Sequence, residues 1–120
     1  MAAACDVTLS ALIAGLGKSL ELQDKFSLAS FTAQTYNYRT LAVANTAEAL
    51  DLGDISVLSL VVIRAIGAID VDTTYVSSFN AEISIPAGQF AVFKPSGLVY
   101  IKNNVVGATP AYEIYLIGTT

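Results

Sequence analysis

A chain of 120 residues has room for one domain, read here as a single β-sandwich domain over 1–120, since domains usually take about 100–200 residues. Charged residues make up 13% and apolar ones 54%; the charge is about half the roughly 25% of ordinary soluble domains, which excludes a disordered chain and leaves a monomer short of polar cover. The net charge of −4, with Lys18, Lys25, Arg39, Arg64, Lys94 and Lys102 scattered, argues against nucleic acid as a partner, because neutralising phosphates takes clustered bases.

The start, MAAACDVTLSALIAGLG, has no basic stretch and carries Asp6 early, so it is expected to be mature protein and not a signal peptide. The lone Cys5 has no partner for an intramolecular disulfide and reads as an incidental thiol. Alternation through Ala14 predicts a first strand, GLGK a turn, and SLELQ and KFSLASF two runs flanking a turn at Gln23-Asp24. TAQTYNYRTLAV reads as a long polar-aromatic strand. In NTAEALDLGD, Asn45 or Thr46 could cap a single helical turn through Ala49, ended by Gly53.

ISVLSLVVIRAI is apolar on both faces, as a central strand covered on each side should be, with room for a bulge near Arg64. The apolar stretch Ile55 to Ile69 contains Arg64, Gly67 and two serines and is shorter than the roughly 20 residues a membrane span needs, so no membrane is expected as a partner. TTYVSSF and AEISI are shorter strands; PAG and PSG bracket QFAVFK in a hairpin-like arrangement; LVYIK, a turn at NN and AYEIYLIG complete the series. About eight strands at roughly ten-residue intervals predict an all-β, two-sheet antiparallel sandwich, jelly-roll-like, with a small closed barrel as the other arrangement.

The chain has no His, which removes the commonest general base and the usual partner of a Ser or Cys nucleophile. Zinc sites need several Cys or His ligands, and GLGK is too short for a phosphate loop. Asp70 and Asp72 sit two apart and would project to one side of an extended chain, where they could share a calcium ion; a solvated loop between strands is the simpler reading. Asp51 and Asp54 flank Gly53 in DLGD and read as turn-making residues with Asx-type bonds. Glu48, Glu82 and Glu113 could serve a glycosidase only if the fold converged them. No catalytic, cofactor-binding or metal residue is therefore predicted, no cofactor, and no enzyme.

Among six tyrosines and five phenylalanines, alternation puts Phe90 with Val92, Ala91 with Phe93, and Tyr112, Ile114 and Leu116 on one face of the last strand, as core packing requires. QFAVFK, LVYIK and IYLI are apolar on both faces, although the outer face of a sandwich should be polar. That surplus is expected to face another subunit.

T-x-E-A-L-D-L-G-D-I (Thr46 to Ile55), the P-x-G turn into F-x-V-F-K-P (Pro86 to Pro95), Y-I-K-N (Tyr100 to Asn103) and the closing E-I-Y-L-I strand occur in an order that resembles small virion structural proteins of tailed bacteriophages. The resemblance covers about Asn45 to Ile117, and Ala65 to Phe79 departs from it. It implies a capsid decoration (cement) subunit, or else a small tail or fibre component, made in the host cytoplasm and residing on the capsid surface. Its partners would be itself, as a homotrimer, and the major capsid protein. The absence of heptads or a collagen-like repeat favours decoration over a fibre. A carbohydrate-binding sandwich using Tyr36, Tyr38 and Tyr75 is the alternative, though without any Trp.

Overall fold

The computed structural model describes residues 3–15, 17, 18, 20–42 and 46–120. It is all β, in two compact units, Met1–Thr32 and Ala33–Thr120. The first is an antiparallel hairpin of β1 (Ala3–Ile13) and β2 (Leu20–Phe31). Its connection carries Gly15 and Gly17 at φ of 98° and 94°, values that an L side chain rarely adopts. The turn expected at Gln23-Asp24 is absent: β2 runs straight through it, paired to β1 from Leu20 to Phe31.

The second unit contains β3 (Ala33–Thr40), β4 (Glu48–Ala49), β5 (Val57–Ala65), β6 (Ile69–Tyr75), β7 (Ile83–Ile85), β8 (Phe90–Phe93), β9 (Leu98–Asn103) and β10 (Ala111–Thr119). They form two four-stranded sheets, ordered β3-β10-β5-β8 and β4-β9-β6-β7. The nested antiparallel pairs β6·β7, β5·β8, β4·β9 and β3·β10 describe one long ribbon folded back on itself. The further pairs β10·β5 and β6·β9 roll that ribbon into two layers. Every connection except β6 to β7 crosses between the sheets, the connectivity of a jelly roll. The sheets stay open and do not close into a barrel.

The inner faces follow from the period of two in each strand. Val61 and Ile63 from β5 and Tyr112, Ile114 and Leu116 from β10 meet Ile69, Val71, Ile85, Val99 and Ile101 from the other sheet, all buried in one cluster. Full burial of each such side chain contributes about 1.5–3 kcal/mol. The register therefore cannot slip by one residue without turning this set toward water.

Several local expectations are corrected. Thr46 and Ala47 are irregular and Glu48–Ala49 pair with β9 in place of a helical turn; Asn45 lies outside the described residues. The bulge in β5 is opposite the Ile117/Gly118 step, between Leu58 and Leu60, and not near Arg64. IDVD is not a loop but part of β6, because Ile69 and Val71 supply core side chains. PAG and PSG do not frame a hairpin: β8 lies in one sheet, β7 and β9 in the other, so each turn is a crossover. Gly88, at φ 81°, gives PAG its left-handed residue.

Candidate functional site: an aromatic sheet face

The outer faces of the two sheets differ in chemistry. On β4-β9-β6-β7, strand alternation turns Asp70, Asp72, Ser84 and Lys102 outward. The Asp70 carboxylate accepts from Ser84 Oγ at 2.7 Å and Asn104 Nδ2 at 2.7 Å. Asp72 is only 2% exposed, and its two oxygens accept the Thr74 and Asn80 backbone N–H groups, each at 2.9 Å. These donors, the Asn80 amide above all, hold the Asp72 carboxyl below its ordinary value against the opposing effect of burial. Each carboxylate is thus occupied by protein donors, and Asp72 ties the 73–82 segment to the sheet. Tyr75 stacks on Tyr100 with centroids 3.7 Å apart, and Lys102 lies over the Phe79 ring.

The outer face of β3-β10-β5-β8 is aromatic and aliphatic. Cross-strand register sets Tyr36, Tyr115, Val62 and Val92 in one row and Tyr38, Glu113, Arg64 and Phe90 in the next. Tyr36 is 53%, Tyr38 58%, Tyr115 47% and Phe90 69% exposed. Tyr36 and Tyr115 are tilted against each other at 4.9 Å, a packing that aromatic quadrupoles favour. Glu113 anchors the group: its carboxylate accepts from the Tyr36 hydroxyl at 3.0 Å and the Tyr115 hydroxyl at 3.4 Å and faces Arg64 at 3.8 Å. The hydrogen bond to Glu113 raises the Tyr36 hydroxyl above its ordinary pKa. Arg64 is 62% exposed along its side chain, so this ion pair adds little stability. Gln34, Tyr36, Tyr115 and Ile117 border an open hollow of about 360 Å³.

The structure brings Tyr36 and Tyr38 onto one face and places Tyr75 on the other sheet. Glu48, Glu82 and Glu113 are not converged into a cleft. Glu48 is in β4 and Glu113 in β10, in different sheets, and Glu82 accepts hydrogen bonds from Thr73 and Thr74. Asp51 makes the expected Asx turn, accepting the Gly53 N–H at 3.1 Å, and also pairs with Arg39. Cys5 lies in β1 opposite Leu28. Among the described residues no three His, Cys, Asp or Glu side chains gather as metal ligands. Sequence reasoning missed Tyr115, Arg64 and Phe90 as members of the aromatic face. The i, i+2 spacing of Glu113 and Tyr115 was readable; their alignment with β3 and β5 depends on a crossover register that spacing does not encode.

Comparison with protein-family models, with curated proteins and with solved structures gives no match for this chain.

Proposed function

We propose that this chain is a structural subunit of an assembled virion, a capsid decoration (cement) protein that self-associates, packs on the major capsid protein and performs no catalysis. The observation that carries the reading is the asymmetry of the sandwich: one outer face sets internally bonded Asp70, Asp72 and Ser84 beside the stacked Tyr75–Tyr100 pair, the other aligns Tyr36, Tyr38, Tyr115, Val62, Val92 and Phe90 around the Glu113–Arg64 pair. A contiguous aromatic-aliphatic surface on a low-charge chain is the composition of an interface centre, where aromatics are enriched and charges depleted. The virion resemblance of the sequence supplies the kind of partner. A shell offers many copies of one docking site, so an oligomer can engage several and hold by avidity.

The test is removal of the protein from the particle. Particles lacking it should assemble but fail earlier under heat or osmotic shock, and adding the purified chain should restore them. A second reading, carbohydrate recognition, is favoured by one observation, the grouping of three tyrosines with Glu113 and Arg64 on a single face. It predicts instead particles of normal robustness that adsorb poorly to cells, and that outcome would displace the cement reading.

A further inference from the structure

Each sheet of the second unit ends in two edge strands: β3 and β8 in one, β4 and β7 in the other. Natural sheets blunt such edges with short strands, Lys, Pro or bulges, because unpaired backbone groups are templates for another strand. Three of these edges follow that rule. β4 has two residues, β7 three and β8 four, with Pro86 directly after β7 and Lys94-Pro95 directly after β8. β3 departs from it: AQTYNYRT is eight residues without Lys or Pro, in unbroken register with β10 from Ala33 to Thr40. Among the described residues β3 pairs with β10 alone.

The hydrogen-bond parity says which backbone groups this edge leaves open. The Leu41 N–H donates to the Pro110 carbonyl at 2.9 Å, and the Ile66 N–H to the Ala111 carbonyl at 2.9 Å. Bonded pairs of an antiparallel ladder recur at every second residue. The backbone groups of Thr35, Asn37 and Arg39 are therefore spent on Leu116, Ile114 and Tyr112, while the odd-numbered residues of β10 serve β5. Gln34, Tyr36 and Tyr38 direct theirs away from the sheet, and their side chains stand on the aromatic face.

We infer that β3 receives a fifth, antiparallel strand, an extended segment of the protein on which this chain packs. The inference rests on reading the Tyr36 face as an interface, and it names how that interface is entered. The edge also sets the chemistry of the segment, since main-chain bonds supply affinity and alternate side chains supply selection. On one side its residues flank Tyr36 and Tyr38, where apolar or β-branched groups fit. On the other they flank Thr35, Asn37 and Arg39, which reach the 51–52 segment through polar contacts, so small polar groups fit there.

Area and symmetry select a foreign segment over a second copy. β3 has eight residues, about 26 Å at about 3.3 Å each, and four strands spaced about 4.8 Å apart span about 19 Å. The aromatic face thus offers roughly 500 Å², or roughly 1,000 Å² counted on both partners, the least expected of one specific contact. Antiparallel pairing of β3 with its own copy sets the twofold axis normal to the sheet, so both aromatic faces look the same way and stay uncovered. A different protein can add the strand and cover the face together.

The test is residue-resolved amide exchange by NMR on the full chain, with a probe peptide of four Thr-Val repeats, acetylated and amidated, at about 1 mM. In the free chain the Gln34, Tyr36 and Tyr38 amides should exchange fast, and those of Thr35, Asn37 and Arg39 slowly. The peptide should slow the first three at least tenfold, and the same peptide N-methylated at its valines should not. Gln34→Pro removes an edge amide without touching a β3·β10 bond; with its β circular-dichroism signal retained, it should lose most of the protection at Tyr36 and Tyr38. No slowing, equal slowing by the N-methylated peptide, or full protection in folded Gln34→Pro overturns the inference. Protection that appears without peptide as the protein is concentrated makes a second copy the occupant and overturns it as well. Failure here leaves docking through the Tyr36 face to the particle experiment, so the two readings fail separately.

Discussion

Gly118→Ala tests the packing at the bulge that joins β10 to β5. Gly118 stands opposite Leu58, just past the step where the β10 register shifts. A Cβ there would overlap the Val57 carbonyl oxygen and lie 2.7 Å from Ile55 Cγ2 and 3.1 Å from the Val57 carbonyl carbon. Ile55 is 4% exposed and belongs to the core, and Val57 is held in the ladder, so neither yields without moving β5. Overpacking alone costs about 1–3 kcal/mol, and loosening the strand end, including the Ser56 N–H to Thr119 carbonyl bond, adds about 1 kcal/mol, for a total of about 3 kcal/mol. At about 4–8 °C per kcal/mol for a domain of this size, Tm should fall by roughly 12–24 °C. Gly107→Ala is the control. Nothing lies within 4 Å of a Cβ there, and only its φ of +83° opposes the change, at about 1–2 kcal/mol. Thermal unfolding followed by circular dichroism reads both. A Gly118→Ala variant that melts within about 3 °C of the parent, or above Gly107→Ala, refutes the packing argument.

Asp72, whose carboxyl is held low in the folded state, contributes stability that is present above its unfolded value of 3.8 and lost as pH falls through the lower folded value. Asp72→Asn should therefore flatten the acid limb of a Tm-against-pH curve; an unchanged limb would show that the Thr74 and Asn80 amides do not depend on the charge. Because Asp70 and Asp72 already accept four protein donors between them, millimolar calcium should leave Tm unmoved, and a rise absent from Asp70→Asn/Asp72→Asn would reveal a site. Burial raises the Tyr112 phenol, so stability should be lost as pH rises above the ordinary tyrosine value, and the late part of an ultraviolet alkaline titration, to which Tyr36 also contributes, should shrink in Tyr112→Phe.

Strand content and the inner faces were legible because alternation is local: Tyr112, Ile114 and Leu116 read as one face and are all buried. DLGD read correctly as a turn because Asp51 needs only the Gly53 amide two residues on. What failed was what neighbours decide. IDVD reads as a loop until β7 and β9 flank it and bury Ile69 and Val71, and Gln23-Asp24 reads as a turn until β1 pairs across it. The P-x-G segments announce turns without saying which sheet receives the next strand. The aromatic face was half legible: Tyr36 and Tyr38 share a side by spacing, but the company of Tyr115, Arg64 and Phe90 is set by β10 lying between β3 and β5.

The proposed function has this protein coat an assembled shell through its aromatic sheet face. Imaging of the intact particle, compared with particles carrying Tyr36→Asp/Tyr115→Asp, tests it most directly. The account predicts density for the chain at symmetry-related positions on the capsid surface, with Tyr36 and Tyr115 buried against the major capsid protein and the density lost in the variant. Density confined to a tail or fibre tip, or capsid density that persists in a variant shown to be folded, contradicts it.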